Sequence, residues 1–164
     1  MGSFFYEGAN YFHAADKSSV IAKESASTGN VGQMIFTLAI ATGGESIDFG
    51  APTVNTSGLA TDSANTNYVT ISYIDKYQRI DNLFWSKAAV GEDNSNNLLE
   101  QGEQFEITIG GSGAGTNDLV AALNASYPLT ANSTFTIEVK TAKGAVLSFE
   151  RTMPGYVNII NDLH

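Results

Sequence analysis

The chain has 164 residues, is 43% hydrophobic and sets 17 acidic side chains against 8 basic ones, a net charge of −9, with no cysteine. That length bounds it to a single domain with a genuine core. The charge and the missing thiols exclude a disulfide scaffold, a thiolate zinc site, a cysteine nucleophile and a phosphate-gripping basic surface.

Met1-Gly2-Ser3 has the character of an expression scar and is set aside. From residue 4 to 28 the apolar side chains recur at helical spacing: Phe4, Gly8, Tyr11 and Ala15 form one stripe, with Phe5 and Phe12 beside it. The spacing predicts a helix over 4–28, stopped at Gly29-Asn30, and its abrupt aromatic start predicts the remainder of a longer helix. Beyond Gly29 the period becomes two. Strands are expected over 33–42, 47–49, 68–75, 83–90 and 105–109, with a polar loop or edge over 51–67 and a Gly/Ser loop at 110–115.

The clearest local signal comes near the end. Phe135 to Lys140 and Ala145 to Arg151 alternate on either side of Thr141-Ala142-Lys143-Gly144, which predicts a β-hairpin. Phe135, Ile137 and Val139 should share a face with Leu147 and Phe149. The expected class is α+β: a helix over 4–28, then an antiparallel β-sandwich or barrel of immunoglobulin-like type over 29–164. No run is apolar and long enough, at roughly 18 residues, to span a membrane.

The catalytic inventory is thin. His13 falls on the predicted helix and His164 ends the sequence, and no Gly-x-Ser-x-Gly elbow or phosphate-cradling loop is present. No catalytic residue and no small-molecule substrate is expected. The segment from Gly91 to Glu103 is the sharpest constellation, because Asp93, Ser95 and Asn97 alternate ahead of Glu100 and Glu103. Hard cations take oxygen ligands of this kind, Ca²⁺ more readily than Mg²⁺ in a flexible loop. The same spacing also suits a solvated turn between strands, and both readings stand. Three glycosylation sequons begin at Asn55, Asn124 and Asn132, a number that an Asn-, Ser- and Thr-rich chain supplies by chance.

Phe135 to Lys140 followed by Gly144 to Pro154 resembles the closing hairpin of archaellins, the subunits of the archaeal swimming filament. The run Tyr68 to Asp75 and the loop-strand block Asn97 to Thr108 are similar to the same family, and all three blocks occur in its order. The resemblance implies an extracellular structural subunit that polymerises with copies of itself. A pilin-like N-terminal helix would pack in the filament core, with a β-domain outside. Phe4, Phe5, Tyr11 and Phe12 would then belong to the assembly helix. Most of that helix is expected to be missing, leaving a chain that is monomeric or weakly associating.

The resemblance also implies export, candidate glycosylation at the three sequons, and one divalent cation in the outer domain. The cation falls first on Asp93 and Asn97, then on Ser95, Glu100 and Glu103. Two other readings compete: a secreted, calcium-dependent adhesion module that binds a glycan or surface ligand, and an archaellum accessory protein that caps or anchors.

Overall fold

Strict alternation of apolar and polar side chains builds most of this molecule. The computed structural model describes residues 12–14 (backbone), 20–25, 29–61, 69–110 and 119–163. The larger sheet runs in the order β14 (Ile160–Leu163), β2 (Val20–Glu24), β3 (Val31–Ile40), β11 (Gln104–Ile109), β9 (Trp85–Val90), with β1 (Phe12–Ala14) also paired to β3. β3 is ten residues long, so one of its edges takes β11 while the other is shared by β2 and β1. The second sheet runs β13 (Val146–Thr152), β12 (Thr134–Thr141), β7 (Val69–Asp75), β8 (Arg79–Ile80).

Two short ribbons, β4 (Ile47–Asp48) with β10 (Leu98–Leu99) and β5 (Thr53–Val54) with β6 (Ala60–Thr61), complete the strands. The helix described is a single turn, α1 (Leu119–Ala122).

The two large sheets share one core. Met34, Phe36 and Leu38 of β3 and Phe105, Ile107 and Ile109 of β11 are buried together with Ile71, Tyr73, Phe135, Ile137, Val139 and Leu147 of the second sheet. Phe36 meets Phe149 of β13 edge to face, with ring centroids 5.0 Å apart, a direct contact between the two sheets. Phe49 follows β4 and packs at right angles on Trp85 and Phe105, at 5.8 and 5.9 Å, which closes the end of the core near β9 and β11. Aromatic pairs in this arrangement gain beyond their buried area.

The expected hairpin is present and slightly longer than predicted. Val139 pairs with Leu147 and Ile137 with Phe149, so the predicted shared face is realised. Thr141 N donates to Ala145 O at 2.9 Å, and Gly144 takes φ +87°, a left-handed conformation that glycine reaches without strain.

The helix expected over 4–28 is corrected wherever that segment is described. Phe12–Ala14 and Val20–Glu24 are strands, and Phe4, Phe5 and Tyr11 lie outside the described residues. Val20 and Ala22 are buried while Ile21 and Lys23 are half-buried, a period of two, and this five-residue run pairs with β3 on one side and β14 on the other. Sheet partners distant in sequence outweigh a local helical stripe, and β-branched Val20 and Ile21 suit the pleat. The described fold is therefore antiparallel β with one short helix, and its strands begin before residue 29.

Candidate functional site

Two places on this fold gather chemistry: the acidic loop joining β9 to β11, and a groove beside β7 and β12. Gly91 and Gly102, with φ of +84° and +94°, bracket the loop, and β10 pins its middle to β4. Asn97 O accepts Phe49 N at 2.8 Å, which ties the loop to the aromatic cluster beneath it.

Two of the loop's carboxylates, Glu100 and Glu103, face its own N–H groups. Glu103 accepts Glu100 N at 3.1 Å and Asn94 N at 3.3 Å. Glu100 Oε2 accepts both the Asn94 and the Asn96 carboxamides. Asn94 and Asn96 also close successive Asx turns, accepting Asn96 N at 3.2 Å and Leu98 N at 2.6 Å. Ser95 is held exposed at φ +66°.

Lys87 reaches in from β9. Its Nζ donates to Asn96 O at 3.0 Å and lies 4.2 Å from the centroid of the Phe105 ring. Burial pushes this ammonium below the usual lysine range, while Asp93, Asp48 and Glu103 pull it back up. Asp93 Oδ1 is buried with no hydrogen-bond partner.

Of the five residues predicted as ligands, the structure thus brings Glu100 and Glu103 together around Asn94, and leaves Ser95 and Asn97 outward. Among the described residues no three His, Asp or Glu side chains gather as a metal cluster. Sequence reasoning missed Asn94, Asn96 and Lys87. The repeated Asn-x pattern was a legible Asx-turn signal, whereas nothing local pointed to a lysine four residues before the loop.

The groove, about 790 Å³, is lined by Ile74 and Lys76 on one side and by residues of 126–136 on the other. Tyr77 and Tyr127 stack at its mouth with centroids 4.5 Å apart, and Gln78 bridges the walls by donating to Tyr127 O at 2.7 Å and accepting Asn124 N at 2.8 Å. Asp75 supports this corner by accepting from Tyr73 Oη, Tyr77 N and Gln78 N. Two sequons open nearby: Asn132 lines the groove at φ +59°, and Asn124 is exposed at its edge. Asn124 accepts Ser126 N with its carboxamide oxygen, as Asn55 accepts Ser57 N and Leu59 N, but Asn55 is only half-exposed.

Neither place has the geometry of a catalytic centre, so the decisive observation comes from comparison. The archaeal-type flagellin family matches residues 16–151. The chain belongs to that family. It is accordingly a structural filament protein and not an enzyme.

Solved archaellin structures carry the same fold. The archaeal flagellum of Methanospirillum hungatei strain JF1 is similar at a TM-score of 0.57 and 16% identity, over 93% of this chain and 70% of that one. The crystal structure of archaeal flagellin FlaB1 from Methanocaldococcus jannaschii is similar at 0.63 and 9% identity, over 93% and 95%. Among curated proteins none matches by sequence. At these identities the structures speak for the archaellin fold alone, and the family match carries the assignment.

Proposed function

We propose that this archaellin serves as a structural subunit of the archaellum, the extracellular filament that drives archaeal swimming. The observation that carries this is the family match over residues 16–151, which takes in most of both large sheets. Its work is assembly with copies of itself, so no substrate or nucleic acid is required. The β-domain forms the outer wall, and its two sheets act as an immunoglobulin-like sandwich around the shared core. Electron microscopy of archaeal cells that make this chain as their sole archaellin tests the reading. Helical filaments containing the chain are expected, and cells that secrete it without filaments would refute the assignment.

The acidic loop supports a second, compatible reading, favoured by one observation: Asp93 Oδ1 is buried and unpartnered. A divalent cation there would rest on Asp93, with the Ser95 hydroxyl and Asn97 carboxamide turning in from their exposed positions as neutral oxygen donors, because Glu100 and Glu103 are committed to N–H groups. One carboxylate and neutral oxygens make a weak site, with Kd of order 10⁻³ M. Calcium at ten times that Kd should stabilise the fold by about 1.4 kcal/mol, and Asp93→Ala should abolish the gain. Thermal unfolding with calcium and with chelator is the measurement; an unchanged midpoint assigns the loop to Lys87 and its own amides. For glycosylation, the exposed Asn124 and Asn132 are the proposed acceptors ahead of Asn55.

A further inference from the structure

Exposed large apolar side chains are informative when they cluster, and here three of them sit within five residues. Tyr156, Ile159 and Ile160 are 67%, 77% and 58% exposed. They lie just before and at the start of β14, which among the described residues is an edge strand of the larger sheet with β2 as its one strand neighbour.

The backbone that presents them is fixed from inside. Asn161 is 4% exposed and spends its carboxamide on one turn, accepting Asn158 N at 2.8 Å and donating to Asn158 O at 2.8 Å and to Ala22 O at 3.1 Å. Glu24 N adds a bond to Ile159 O at 3.1 Å. A buried asparagine clamps the 158–161 turn to β2, and the residue at its tip is the most exposed large apolar side chain among the described residues. Val157 packs against the core and anchors the segment between Tyr156 and Ile159. Holding an isoleucine outward on a turn tied by these hydrogen bonds lowers the ordering cost of docking it.

We infer that the clamped turn at 156–160 is a subunit-subunit contact, and that its occupant is a second copy of this chain. The inference rests on the filament reading and names a face that takes part. Two features favour a second copy. An open polymer needs an exposed face that meets a different face on the next subunit, and β14, at the edge of the sheet among the described residues, supplies one. Copies carrying −9 each repel one another, so they should meet where charge is absent, and no side chain from Met153 to Ile160 is charged.

A photo-crosslinking residue at position 159 in the otherwise unaltered chain, purified and concentrated, tests this. The chain has no cysteine to confuse the mapping, and mass spectrometry would locate the crosslink. The expected result is a crosslink to a different face of a second copy, with Ile159→Lys raising the concentration needed for association at least tenfold and leaving the thermal midpoint unchanged. Ile160→Lys should act in the same direction. Association that proceeds at the wild-type concentration in both variants, without a crosslink from 159, overturns the inference and leaves the filament reading intact. A chain that neither associates nor crosslinks at any concentration overturns it too. The filament reading itself is judged separately by electron microscopy.

Discussion

Phe149→Ala is expected to destabilise the fold by about 3–5 kcal/mol, the largest effect of any single truncation considered. Phe149 is buried in β13 and meets Phe36 of β3 edge to face at 5.0 Å, so its ring spans the space between the two sheets. Removing it leaves a cavity bounded by two rigid layers, which relax less readily than a loop would. For a domain of this size the melting midpoint should fall by about 10 °C. Urea unfolding of Phe149→Ala, Phe36→Ala and the double variant would measure the coupling, the double variant being expected to lose about 1 kcal/mol less than the sum of the two single losses. Additive losses would show that the contact across the sheets contributes only through area.

Asp75→Ala should cost about 3 kcal/mol, because it unmakes the corner that supports the tyrosine groove. The carboxylate ends β7, accepts the Tyr77 and Gln78 backbone N–H groups, and takes the buried Tyr73 hydroxyl at 2.8 Å. Alanine would leave that phenol unpaired inside the protein. The pair also sets a pH dependence.

For Asp75, burial favours the protonated acid, but the hydrogen bonds from Tyr77, Gln78 and Tyr73 outweigh it and hold the carboxyl below its ordinary range. Its contribution is therefore present above about pH 4 and lost as pH falls through the depressed folded value. Tyr73 runs the other way. Burial first, then its bond to Asp75 and that group's charge, push the phenol well above its ordinary range. Its contribution is complete below about pH 10 and fades as the pH rises further. Unfolding midpoints at acid, neutral and alkaline pH should show both limbs in the wild type. The acid limb should be reduced in Asp75→Ala, and an identical profile in the two proteins would refute this account.

The amino-acid sequence alone specifies the strands whose alternation is unbroken. Gln104 to Ile109 and the two arms around Gly144 announce their buried face residue by residue, because a half-buried strand must place every second side chain in the core. It also determined the family, through ordered blocks from Tyr68 to Pro154, and with it the class of function. The acidic loop was legible as a polar turn rich in oxygen ligands.

What those oxygens do follows from the folded arrangement. Whether Glu100 and Glu103 face a cation or an N–H depends on where the chain bends, and the turns at Asn94 and Asn96 aim the amides at the carboxylates. Lys87 enters the loop because β9 runs beside β11, a pairing that no local pattern specifies. The segment from Val20 to Glu24 is the strongest case. Its apolar residues fit a helix as well as a strand when read alone, and strand neighbours contributed from residues 31–35 and 160–163 settle the choice. Hydrogen bonds between segments distant in sequence supply a free energy that local periodicity does not contain, so a short, ambiguous run takes the conformation of the sheet that receives it.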